Sequence, residues 1–286
     1  MDAKDFLFIG LGLVLVVYVF AIARGGFETP TALQTAVGFV TAFFDTLGIG
    51  SFATTTSVYK LRKMAPVRLI PGTLNVGHTL PTIAQAFIYT RIVPVDSKTL
   101  ILMIGAACLG AWLGVGVVVR WPRQQIQVGM GIALLVAAIV FVLQAEEWRP
   151  AGGATLGLTG ARLWVGLVGN FILGTLMMLG IGLYAPCMIL VSLLGMNPAA
   201  AFPIMMGSCA FLMPVSSVRF VRTRTYARRA ALGLALGAVP GVLLAAFVFR
   251  SLSMVAVRWL VIIVVMYTSI NMLTTLRRSE PVFVDA

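Results

Sequence analysis

The sequence predicts an all-α polytopic membrane protein, with about seven transmembrane helices, two re-entrant broken-helix hairpins and an internal inverted repeat. Three observations carry that prediction. First, 60% of the 286 residues are apolar and only 10% are charged, against roughly 25% charged in a soluble domain. The mean hydropathy of +1.01 excludes a soluble enzyme, a secreted module and a disordered chain. Second, apolar runs of about 20 residues, the length that crosses a bilayer core, recur along the chain. Third, two of the apolar runs are broken by the same Gly-x-Gly and begin similar units.

Each element follows from its own residues. Residues 6–23 (FLFIGLGLVLVVYVFAIA) form the first span. The preceding MDAKD is acidic rather than basic and the apolar run is long, so an uncleaved helix is expected rather than a signal peptide. Further continuous spans are expected at about 69–90, 99–119, 125–144, 199–218, 230–249 and 254–276. The stretches 33–59 and 163–195 are apolar but interrupted, by Leu47-Gly48-Ile49-Gly50 and Leu179-Gly180-Ile181-Gly182. Glycines there cost helix stability and permit positive φ, so each stretch should break at that point.

These breaks open a duplicated unit. AVGFVTAFFDTLGIGS (36–51) matches LVGNFILGTLMMLGIGL (167–183). A proline-containing span follows in each, with Pro81 or Pro214, then a basic turn with Arg91 or Arg224. Next comes a helix with an i, i+4 glycine pair, Gly110 and Gly114 or Gly237 and Gly241, which suits close helix approach. The expected organisation is an N-terminal helix in 1–32, repeats at 33–144 and 163–276, a linker at 145–162 and a tail at 277–286.

Charge decides how the interrupted stretches lie. The net charge is +12, from 21 Lys+Arg against 9 Asp+Glu. In a membrane chain this excess reads as cytoplasmic loops rather than a nucleic-acid surface. If each interrupted stretch dips in and returns, fourteen of the 21 basic residues share one side, including Arg24, Lys60, Lys63, Arg222 and Arg229. If each crosses, the bias disappears. The positive-inside rule therefore favours hairpins, an outside N-terminus and a cytoplasmic C-terminus. Each repeat then makes three full crossings, which inverts one relative to the other, a recurring transporter plan.

Chemistry should concentrate at the hairpin tips. Helix N-termini starting near Ser51 and Tyr184 offer backbone N–H donors to an anion. Gly48, Gly50, Gly180 and Gly182 let a ligand approach the backbone, and hydroxyls run from Ser51 through Thr54 to Ser57. Helix capping and back-bonding to carbonyls are the plain alternative for these hydroxyls. Asp45 is the only charge between Glu28 and Lys60. At membrane depth it could carry a proton, bind a cation or cap the second half-helix, and neighbouring Thr46 shares its position. His78 is the only histidine and follows Asn75, itself a substrate-binding candidate, in a polar run; His78 could donate to an anion or relay a proton. Residues 163–218 carry no charged side chain, as suits an anion held by dipoles. Cys108, Cys187 and Cys209 form no CxxC metal spacing and read as core residues. No cofactor is expected, and the partners are a small anion, membrane lipids and, for assembly, further copies of the chain.

The duplicated unit, DTLGIGS and LGIGLYAP, with the helices GTLNVGHTLPTIAQAFIYTR and GSCAFLMPVSSVRFVRTR, resembles the TauE/SafE family of sulfite exporter-like membrane proteins over about 33–276. The resemblance implies a bacterial inner-membrane protein exporting sulfite, sulfonates or related small anions. In this chain Ser51-Phe52 and Leu183-Tyr184 follow the Gly-x-Gly, where the family carries more glycine. A metal or other cation transporter using Asp45 is the nearest alternative. An intramembrane hydrolase built on Ser51 and His78 lacks the glycine expected beside a nucleophile elbow, so the chain is not expected to be an enzyme. An assembly role would show no substrate-dependent flux.

Overall fold

The computed structural model describes residues 3–24, 28–48, 50–66, 69–118, 153–177 and 182–251, with isolated positions between 259 and 274. The expected span at 125–144, nearly all of that at 254–276, and Gly180 lie outside the described residues. Among the described residues the regular elements are helices: α1 Ala3–Ala23, α2 Ala32–Thr46, α3 Ser51–Leu61, α4 Ile70–Ile92, α5 Ser97–Val118, α6 Gly160–Met177, α7 Tyr184–Leu193, α8 Ala201–Arg222 and α9 Arg228–Ser251. A 3-10 turn, Pro198–Ala200, leads into α8. Four of these segments are long and apolar enough to span a membrane: α1, α6, α8 with its leading turn, and α9.

The helices expose large apolar side chains and bury polar ones among the apolar core. Phe6, Leu13, Val16 and Phe20 of α1, Trp112 of α5, Trp164 and Val168 of α6 and Phe247 of α9 are exposed. Thr73, Asn75, His78, Thr79, Thr82 and Gln85 of α4 are buried. An exterior of this kind matches lipid, in which buried polar groups must find partners inside the protein. It also explains why α4, 23 residues long, falls outside the apolar set: its polar residues face the bundle centre.

α4 and α8 form that centre and run antiparallel. Asn75 Oδ1 accepts from Ser216 Oγ (2.9 Å), Thr79 and Ser217 share a hydrogen bond (2.9 Å), and Tyr89 stacks on Phe202. Around this pair the packing is reciprocal. α2 lies along α9, and α6 lies along α5, each pair parallel and in close backbone contact. A Cβ at Gly237 would fall on the Thr35 carbonyl oxygen, and one at Gly110 on the Phe171 carbonyl. The glycines on α5 and α9 therefore serve the helix contact their spacing predicts. α1 runs antiparallel to α4, held by Lys4 Nζ to the Thr90 carbonyl (3.3 Å) and by the Tyr18 hydroxyl to the Val76 carbonyl.

Both interrupted stretches break where glycines occur. α2 ends at Thr46 and α3 begins at Ser51, with Gly48 at φ 102° and Gly50 at φ 81° between them. These angles lie in the left-handed region that L side chains rarely adopt. α6 ends at Met177 and α7 begins at Tyr184. The flanks of the first break return to one place: Thr29, before α2, accepts from Arg229 Nε (2.8 Å), and Tyr59 of α3 donates to the Ala230 carbonyl (3.2 Å), both in the first turn of α9. The flanks of the second break do the same at the start of α5. Thr155, before α6, accepts from the Asn197 N–H (2.9 Å), and the neighbouring Leu156 carbonyl accepts from the Asp96 N–H (2.8 Å).

Asn170 shows how α6 is anchored. Its amide donates to the Met103 carbonyl (2.7 Å) and to Ser208 Oγ (3.1 Å), joining α5, α6 and α8. Asn170→Leu is expected to lower stability by about 1–3 kcal/mol through those lost partners. Thermal unfolding in detergent checks it; an unchanged midpoint would show that α6 is held by packing alone.

Candidate functional site

Residues flanking the two breaks line one small space. Its walls are Asp45, Gly50, Ser51, Phe52 and Thr82 on one side and Met177, Gly182, Leu183, Tyr184, Cys209 and Met213 on the other. When the two Gly-x-Gly segments are superposed in sequence, four wall residues around the first pair with four around the second: Asp45 with Met177, Gly50 with Gly182, Ser51 with Leu183 and Phe52 with Tyr184. The cavity volume is about 20 Å³, room for roughly one water molecule.

Asp45 is the polar centre of this space. Its position at the last turn of α2 places the carboxylate over the first turn of α3, where Oδ1 accepts the Ser51 N–H at 2.6 Å. One helix thereby caps the next, so the N–H at the first tip is taken by a protein carboxylate. The second oxygen, Oδ2, accepts from Gln85 Nε2 at 2.8 Å. The same amide nitrogen donates to Thr46 Oγ1 at 2.8 Å, and Gln85 Oε1 accepts the Tyr184 hydroxyl at 2.6 Å. Tyr89 donates to the Thr46 carbonyl at 3.0 Å. Asp45, Gln85 and Tyr184 are buried, so a continuous chain of hydrogen bonds joins the first break to the second through one residue of α4.

The second tip differs in its electrostatics. Leu183 precedes α7 as its N-cap and supplies no side-chain cap. A helix N-terminus without such a cap keeps donors and the positive end of the dipole available. That space is bounded by a carboxylate on one side and, on the other, by a helix start to which the N-cap residue Leu183 gives no side-chain hydrogen bond.

Of the residues singled out in the sequence, Asp45, Gly50, Ser51, Gly182 and Tyr184 meet at this space. The others lie around it. Gly48 is buried under Met188, which a Cβ would meet at 2.9 Å. Thr54 donates back to the Ser51 carbonyl at 2.9 Å, the local back-bonding its hydroxyl allows. Asn75 lies in the α4–α8 contact with Ser216. His78 pairs through Nε2 with Thr55 Oγ1 at 3.1 Å and not with Ser51, while its Nδ1 is buried and has no hydrogen-bond partner among the described residues. Arg228 forms an ion pair with Glu28 at 3.7 Å, so with Arg229 it ties down the approach to α2.

Gln85, Thr82, Met177, Cys209 and Met213 are missed by sequence reasoning. For Gln85 a signal exists: His78, Thr82, Gln85 and Tyr89 recur at helical spacing and share one face of α4. Cys209 and Met177, with sulfurs 3.5 Å apart, carry no such mark among ordinary core sulfurs. No family model matches the chain, and no curated protein or solved structure proved similar to it.

Proposed function

We propose that the chain is a secondary transporter that moves a small anion through the space between the two breaks. The observation that carries this reading is the cavity itself: a buried carboxylate at a break in one stretch faces the break of its sequence counterpart. Interrupted helices meeting inside a bundle of apolar helices are a transporter's way of building a site. The return of each stretch to its starting end supports re-entrant hairpins. The antiparallel α4–α8 pair and the reciprocal α2–α9 and α5–α6 packing support repeats inverted with respect to each other. Arg24, Arg62, Lys63, Arg222, Arg224 and Arg229 gather at the end where α4 and α9 begin, which supports a cytoplasmic position for that end; the bacterial inner-membrane setting is what the TauE/SafE resemblance supplies.

The start of α7 receives the anion, with Gly182 and Tyr184 beside it. Ser51 and the Gly50 backbone close the opposite wall. An ionised Asp45 would repel this substrate, so the anion binds with a proton on Asp45, and His78, two turns before Gln85 on α4, relays it. The space as described, about 20 Å³, is smaller than a sulfonate. Transport requires the tips to part, by rocking of one repeat against the other. Sulfite, sulfonates and related sulfur oxyanions are the substrate class that the TauE/SafE resemblance supplies, and it supplies the export direction as well.

The test is flux in proteoliposomes. Saturable movement of sulfite, thiosulfate or methanesulfonate under an imposed pH gradient is expected, with Gly50→Leu and Gly182→Leu inserting but inactive. Normal flux in either variant would sink the tip site. A second reading, transport of a soft cation, is favoured by Asp45, Cys209, Met177 and Met213 converging on one space, since thiol and thioether ligands select soft metals. Silver or cuprous ion flux without anion flux would establish it.

A further inference from the structure

We infer that Gln85 is the coupling residue of the proposed transporter, an amide that converts protonation of Asp45 into a free hydrogen-bond donor at Tyr184. The inference rests on the transport reading and adds how its proton and its anion communicate. Its basis is the direction of each hydrogen bond around one side chain.

Thr46 settles that direction. Its hydroxyl already donates to the Ala42 carbonyl at 2.6 Å, so toward Gln85 it can only accept. The amide NH2 must therefore face Thr46 and Asp45, and the amide oxygen must face Tyr184. This arrangement suits an ionised Asp45, which accepts and has nothing to donate. The Tyr184 proton is meanwhile spent on Gln85 Oε1 and is withheld from the cavity that Tyr184 lines.

A proton on Asp45 reverses the pattern. The neutral carboxyl donates from Oδ2, where Gln85 now offers another donor. A half-turn of the amide relieves the clash: Oε1 accepts from Asp45, and the Thr46 hydroxyl can swing to it from the Ala42 carbonyl. The NH2 then points at the Tyr184 oxygen, which accepts instead of donating. Tyr184 keeps its own proton but no longer has Gln85 to give it to; it turns to the Thr82 hydroxyl, which shares the cavity wall, or into the cavity beside the start of α7. One proton bound at Asp45 thus creates one O–H donor for an anion, with no covalent bond made or broken. The titratable groups facing Asp45 are Tyr89 of α4, Tyr184 of α7 and Cys209 of α8, none of them a fixed charge.

The experiment measures binding of methanesulfonate, an anion whose charge does not change between about pH 5 and 8, to the purified full-length protein by calorimetry. Wild type should bind more tightly as pH falls, by up to about tenfold per pH unit when one proton accompanies one anion. Gln85→Leu should flatten that slope while binding persists. Gln85→Met, of closer shape, repeats the test should the leucine variant fail to fold. Tyr184→Phe should hold affinity at the weak, high-pH value throughout. A wild-type slope retained in folded Gln85→Leu or Gln85→Met overturns the inference and leaves the transport reading intact. Absence of saturable methanesulfonate, sulfite and thiosulfate binding by wild type overturns both.

Discussion

Gly237→Ala is expected to cost the protein about 3 kcal/mol or more. A Cβ at that position would coincide with the Thr35 carbonyl oxygen of α2, and Phe39 backbone lies next to it. Neither neighbour is the end of a flexible side chain, so α9 must move away from α2 as a body, and overpacking of that kind costs about 1–3 kcal/mol even where side chains can yield. Gly110→Ala should behave alike, because its Cβ would fall on the Phe171 carbonyl of α6. Gly12→Ala on α1 is the control: nothing lies within 4 Å of its Cβ, and alanine is the better helix former by about 1 kcal/mol. Thermal unfolding in detergent reads all three. Equal midpoints for Gly237→Ala and Gly12→Ala would overturn the close parallel packing of α2 on α9.

Asp45 should separate fold from function through two substitutions. Asp45→Ala removes the acceptor of the Ser51 N–H and of one Gln85 amide hydrogen. Each buried donor left unsatisfied costs about 1–3 kcal/mol, and α3 loses the side chain that caps it. Poor folding and no flux are expected. Asp45→Asn keeps an oxygen for Ser51 and presents an NH2 toward Gln85, as a protonated carboxyl presents its O–H. That variant should fold and bind anion at the low-pH affinity, and a pH gradient should no longer drive its flux. In wild type, anion binding should weaken as pH rises and Asp45 loses its proton. An Asp45→Asn protein that still concentrates anion against a pH gradient would reduce Asp45 to a helix cap.

Much of this architecture was legible because local chemistry marks it. Gly48 and Gly50 stand in an apolar run where nothing but a break needs them, and both adopt positive φ. The Gly237–Gly241 spacing announced a close helix contact without saying which helix would fill it. Asp45 stood out as a charge at membrane depth, and capping of the next half-helix was among its foreseen roles. Boundaries moved by a few residues: α6 begins at Gly160 inside the expected linker, and α2 extends to Thr46. Tyr184 was legible as the start of a helix and a substrate-binding candidate, not as the partner of a glutamine 99 positions earlier.

What the sequence by itself determined is composition, the places where helices must stop and the few polar groups for which burial in an apolar chain demands a partner. Those properties arise between neighbours in the chain, where glycine conformation, helix length and hydropathy act. The tertiary structure alone decided which partner each group found. It put Gln85 between Asp45 and Tyr184, gave α3 Asp45 as its cap, turned His78 toward Thr55 and drew Met177, Cys209 and Met213 to the same space. Hydrogen bonds and packing between helices far apart in sequence depend on how the helices cross, and no residue type records that angle.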